Sequence, residues 1–211
     1  MTQNTRLTLL VATILIVVIG ILKHLADYSA NTRDFAFVAV VLFQVFVPGW
    51  LVKKQELVDW HNWRADLKRV ALLVLVFFPL FWLGYHSLQS FFASQNEMTA
   101  HFSFAVPSDF FLFVLTSAII VSVSEEIFYR GYVQTQLLKA WPVAPAIIVT
   151  NLFFALGHFI GDYHFGRLLT FFPGLLFSYL VFRSRSLFGA VLFHGLCNIF
   201  AELLRESYYW K

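Results

Sequence analysis

The sequence predicts an all-α fold, a polytopic bundle of about seven transmembrane helices, and three observations carry that expectation. Hydrophobic residues make up 59% of the 211-residue chain and charged residues only 13%, about half the 25% typical of soluble domains. Apolar runs recur along the whole chain, long enough to cross a hydrocarbon core about 30 Å thick. No internal repeat, low-complexity tract or soluble domain interrupts them, so residues 1–211 are expected to form a single integral membrane domain.

Leu7 to Leu22 is an apolar run between Arg6 and Lys23. It is long for a signal-peptide core and lacks a small-x-small cleavage site, so it is assigned as the first span. Phe35 to Val52 is the second, closing in Pro48-Gly49-Trp50. Lys53 to Arg69 is polar and basic, with Trp60 and Trp63 suited to a membrane interface. Val70 to Phe92 is the third span, in which Pro79 predicts a kink. Ala93 to Asp109 contains no Lys or Arg and is expected to be a loop.

Phe110 to Leu138 is the fourth span; as one helix it measures about 43 Å, and Trp141-Pro142 ends it. Val143 to Ile160 is the fifth. Leu168 to Phe182 is the sixth, expected to break at Pro173-Gly174, and Leu187 to Leu204 is the seventh. An eighth, re-entrant segment is the alternative count.

Basic residues set the expected orientation. With the N-terminus inside, the inner segments hold Arg6, Lys53, Lys54, Arg64, Lys68, Arg69, Lys139, Arg183 and Arg185. The outer segments hold Lys23, Arg33, Arg167, Arg205 and Lys211. The positive-inside rule therefore favours N-in, C-out. The net charge of +3 reflects these flanking residues. It is not the clustered basic face of a nucleic-acid binder. The single cysteine, Cys197, excludes a disulfide within the chain.

Function is expected where charge enters hydrocarbon. Glu125, Glu126 and Arg130 lie in the fourth span, behind the uncharged stretch from Phe110 to Val123. Each ionisable group there costs roughly 2.5–3.5 kcal/mol on insertion scales, so it needs a partner or a polar cavity. Glu126 and Arg130 are i, i+4 with the acid N-terminal, the favourable order for an ion pair. Glu125 lies about 100° round the helix and points elsewhere. The expectation is a structural Glu126–Arg130 clamp and a working carboxylate at Glu125. The fifth span adds Asn151 and His158, which share a face at i, i+7. The seventh adds His194 and Asn198 at i, i+4. Lipid satisfies none of these groups, so they are expected to converge inside the bundle. A carboxylate, two imidazoles and an amide around a wet cavity suit hydrolysis. A Glu–His pair can take a proton from water, while the other imidazole and the amide donate to an oxyanion.

Glu125-Glu126-x-x-x-Arg130, Phe154-x-x-x-His158 and His194-x-x-x-Asn198 together resemble the CPBP family of intramembrane glutamic proteases, which includes the type II CAAX prenyl endopeptidases and the bacterial Abi proteins. Phe172-Pro173-Gly174-Leu175 and the basic turn before Ser186-Leu187 resemble that family's Pro-Gly helix and the turn preceding its last motif. The resemblance covers about residues 110–200, the expected catalytic core; the first 100 residues share only hydrophobic spans. It implies that Glu125 and His158 activate the water, that His194 and Asn198 form the oxyanion pocket, and that Glu126 and Arg130 support the site. Ser178 departs from the glycine often found after the Pro-Gly element, which puts close packing of that helix in question.

The same residues admit other readings. Asn151 reads as structural and Phe154 as core packing. His24, His61, His86, His101 and His164 lie near ends or in loops and read as non-catalytic. Cys197 sits about 100° off the Asn198 face, which argues against a Cys–His nucleophile. Glu125, His158 and His194 are a possible zinc ligand set, but His-Glu-x-x-His is absent, and the glutamic mechanism implied by the resemblance needs no metal or cofactor. A proton-coupled transporter predicts paired broken helices from an internal repeat, which the sequence lacks. A non-catalytic scaffold has no need of all four site residues. The expected partners are the bilayer and a membrane-associated or lipidated protein or peptide substrate, with no nucleic acid. The short chain points to a bacterial inner (cytoplasmic) membrane.

Overall fold

The computed structural model describes residues 3–26, 30–51, 63–95 and 99–210. Among them, seven helical segments are long and apolar enough to cross a membrane. They are α1 (Gln3–Ala26), α2 (Ala30–Leu51), α3 (Trp63–Gln95), α4 (Phe110–Leu138), α5 (Val143–Asp162), α6 (Phe171–Ser184, preceded by a 3-10 stretch, Phe165–Thr170) and α7 (Phe188–Ser207). The expected all-α architecture holds. Trp60, His61, Lys53 and Lys54 lie outside the described residues.

Each helix divides by face. On α1, Thr5, Thr8, Val11, Ala12 and Leu15 are buried at spacings of three or four, one stripe of a 3.6-residue helix. Leu7, Leu10, Ile14, Val17 and Ile21 are exposed, as an apolar face toward lipid requires. The centre of the core is the second half of α4, where Phe128 to Gln134 are all buried. Leu15, Phe154, Phe177, Leu180 and Phe193 pack around it from α1, α5, α6 and α7.

Two local expectations change. Residues 93–109 are not all loop: Ala100–Phe102 (β1) pairs antiparallel with Tyr208–Trp210 (β2) in the register Ala100↔Trp210 and Phe102↔Tyr208. His86 on α3 hydrogen-bonds the Tyr208 hydroxyl at 2.9 Å, which ties this ladder to the bundle. The sixth span does not break at Pro173-Gly174. The path changes from 3-10 to α before Pro173, which falls in the first turn of α6, where its missing N–H has no intrahelical partner to lose. Helix α3 runs from Trp63 to Gln95 with Pro79 inside it.

The fourth span is also not uniform. Two π-helical segments, Val114–Val121 and Ile127–Gln134, flank one α-helical turn, Ser122–Glu126. Such wide turns are rare and recur at functional sites. Neighbouring side chains take up carbonyls in both. Asn198 Nδ2 donates to the Ser117 carbonyl at 2.9 Å, and Thr135 Oγ1 to the Arg130 carbonyl at 2.9 Å. Gly195 lets α7 press onto the first of them, since a Cβ there would stand 2.5 Å from the Ala118 oxygen. At the other end of α7, Arg185 adopts a left-handed conformation (φ 58°) and closes α6, so a three-residue turn sets α6 and α7 side by side.

Candidate active site

The α-helical turn between the π segments delivers Glu125 and Glu126 in different directions, as their angular offset requires. Glu126 points inward, with no exposure, and its Oε1 accepts from Arg130 Nη1 and His194 Nδ1, both at 2.9 Å. Arg130 extends the network. Its Nη2 donates to Asn151 Oδ1 at 2.8 Å and to the Gly174 carbonyl at 3.0 Å. Its guanidinium carbon lies 4.4 Å from the Phe154 ring centroid and 5.2 Å from that of Phe177, within cation–π range. One cation thus joins α4, α5 and α6, while Glu126 joins α4 to α7.

Asn151 Nδ2 donates in turn to Ser178 Oγ at 2.9 Å, and Gln134 Nε2 to the Ser178 carbonyl at 3.1 Å. The departure from glycine at Ser178 therefore supplies an acceptor. Close approach of α6 depends instead on Gly174, where a Cβ would collide with Asn151 Oδ1.

Glu125 faces the two histidines. Its Oε2 is 3.6 Å from His194 Nε2 and 3.9 Å from His158 Nε2, and that oxygen has no hydrogen-bond partner among the described residues. The gaps are too long for direct hydrogen bonds, so the buried Oε2 is left without a protein donor among these residues. The ring orientations fit the same centre. His158 Nδ1 meets the Phe154 carbonyl at 3.0 Å, and a carbonyl only accepts, so Nδ1 carries the hydrogen and Nε2 turns toward Glu125. His194 Nδ1 meets Glu126, and the ring stacks on Phe177 at 4.6 Å, so its Nε2 also turns toward Glu125. The Glu125 and His158 side chains are 14% and 24% exposed against 3% for His194, so the cluster opens on the Glu125–His158 side.

The structure brings together Glu125, Glu126, Arg130, His158 and His194 from three helices. Asn198 stands one turn along α7, and its amide is engaged with the Ser117 carbonyl and with Ser122 Oγ at 3.4 Å. Cys197 packs against the apolar core. His164 accepts from the Gly166 amide, His101 bonds Thr99, and His24 sits in the last turn of α1. Among the described residues, no three His, Cys, Asp or Glu side chains are grouped to hold a metal ion. Sequence reasoning missed Gln134 and Gln44, buried amides in apolar helices; Gln44 Oε1 accepts from Ser124 Oγ at 2.9 Å. For Gln44 the signal was an isolated amide in an apolar run, the same signal that flagged Asn151, whereas Gln134 stands beside Thr135 and Gln136 in a more polar stretch.

Residues 107–200 match the family described as Type II CAAX prenyl endopeptidase Rce1-like. No curated protein matches the chain. The matched segment contains all three motifs and the whole Glu–His–Arg cluster, set in a bundle of membrane-length helices. Over that segment, somewhat less than half of the chain, it is similar to the CAAX-type prenyl endopeptidases, and its seven membrane-length helices are those of an integral membrane protein.

Proposed function

We propose that the chain cleaves a membrane-associated protein or peptide by a glutamic mechanism, with residues 110–200 as its catalytic core. The observation that carries this reading is the unpartnered Glu125 Oε2 facing two imidazole nitrogens at 3.6 and 3.9 Å. Glu125 and His158 orient a water, and Glu125 takes its proton as the oxygen adds to the scissile carbonyl. The resulting oxyanion receives a hydrogen bond from His194 Nε2–H. His194 can donate there while Nδ1 stays on Glu126 only as an imidazolium. Collapse of the tetrahedral intermediate passes the proton from Glu125 to the leaving amine, completing hydrolysis. Asn198 serves as the second oxyanion donor by exchanging the Ser117 carbonyl for the substrate. Glu126 and Arg130 hold the helices in place. No cofactor takes part.

The family match supports, as substrate class, a lipidated, prenylated C-terminal segment or a comparable membrane-bound peptide. The excess of basic residues on the inner segments supports an orientation with the N-terminus inside. Terminal-peptide proteomics tests the whole reading on membranes from cells carrying wild-type or Glu125→Gln protein at matched levels. Termini that vanish only in the variant identify substrate, cleavage site and membrane side. No change in termini, with a cellular phenotype retained, overturns the protease in favour of transport or scaffolding.

A further inference from the structure

Helix α2 runs through apolar residues from Phe35 to Val47, except for one amide, Gln44. It lies outside the segment that matches the family. An amide among transmembrane helices needs a partner, and Gln44, 2% exposed, finds it in Ser124, 1% exposed. Ser124 Oγ also lies 3.0 Å from the Val121 carbonyl, at the end of the first π segment. One residue away on α2, the Phe43 ring lies 6.0 Å from that of Phe128. Ser124 and Phe128 are i, i+4 on α4, so α2 holds one face of α4 at positions on either side of Glu125.

That grip bears on Glu125 because the carboxylate has no side-chain partner of its own at Oε2. Its aim depends on how the turn Ser122–Glu126 is rotated, and that turn is bounded on both sides by π-helical backbone. A carboxylate about 6–7 Å from the helix axis moves about 1 Å for a rotation of about 10°. A misplacement of about 1 Å can cost up to about a hundredfold in rate. We infer that Gln44 is a positioning residue for Glu125, acting through Ser124. The inference rests on Glu125 being the working carboxylate of the proposed protease.

The test compares full-length wild type with Gln44→Met (similar shape, no amide), Ser124→Ala and the double variant. Turnover is measured on the peptide that proteomics identifies, and melting is measured alongside. Each single variant is expected to lower kcat about tenfold, within the range that misplacement allows, with KM and Tm near wild type. The double variant is expected to be no worse than the worse single, because both changes break one interaction. Wild-type kcat in Gln44→Met, or losses that multiply, overturns the inference. A second readout needs no activity: the rate at which a hydrophobic carbodiimide labels Glu125, which is faced by Glu126, Arg130, His158 and His194. Gln44→Met and Ser124→Ala are expected to shift that rate equally. An unchanged rate in both overturns the positioning role even if the chain proves not to be a protease, and Ser124→Ala carries the test should Gln44→Met not fold. Absent turnover in wild type, with the labelling shift intact, overturns the protease reading alone.

Discussion

Arg130→Ala should be among the most destabilising single substitutions in the chain. The guanidinium is fully buried and joins Glu126, Asn151 and the Gly174 carbonyl at 2.8–3.0 Å. Removing one partner of a buried ion pair costs about 3–5 kcal/mol, because the other charge stays behind. Each stranded neutral acceptor adds about 1–3 kcal/mol in isolation. These losses share one network and do not sum, and His194 Nδ1 remains on Glu126. A net loss of about 4 kcal/mol follows from the lower half of that range plus part of one acceptor. At about 2–4 °C per kcal/mol for a chain of this size, Tm falls by about 8–16 °C. Thermal denaturation of purified protein in detergent measures it. The double variant Glu126→Gln/Arg130→Met removes both charges at similar volume and should recover at least half of the loss, since an uncharged pair leaves no stranded ion. An Arg130→Ala protein that melts within about 2 °C of wild type would refute the reasoning, as would a double variant less stable than the single.

Three further outcomes are expected. Asn198→Ala should lower kcat by about 10²–10³-fold if the amide serves the oxyanion; a drop in Tm with unchanged kcat would instead make it a strut between α7 and the first π segment. Gly195→Ala should destabilise by about 1–3 kcal/mol, the usual range for overpacking, because its Cβ would meet backbone at Ala118, which yields less readily than a side chain; melting checks this directly. Chelators should leave activity unchanged, and loss of activity restored by zinc would assign Glu125, His158 and His194 as metal ligands instead.

The class of fold, and the polar residues that the helices must hide from lipid, are legible in the sequence alone. Hydrocarbon-length apolar runs fold only as helices that satisfy their own backbone, so composition and spacing were enough for seven spans. Charge inside such runs is costly wherever the helices pack, so Glu125, Glu126, Arg130, His158 and His194 stood out without any coordinates. Tertiary structure decided the partners. Periodicity along one helix predicted that Glu126 meets Arg130. It is silent on His194 sharing the same carboxylate oxygen, on Asn151 and Gly174 completing the guanidinium shell, and on Gln44 reaching Ser124 from α2. The first π segment was equally out of reach, because the contacts that accompany it, Gly195 against Ala118 and Asn198 on Ser117, come from a helix about 80 residues away. Local sequence sets what each segment must hide from lipid, and only the packing of distant segments determines which groups meet once hidden.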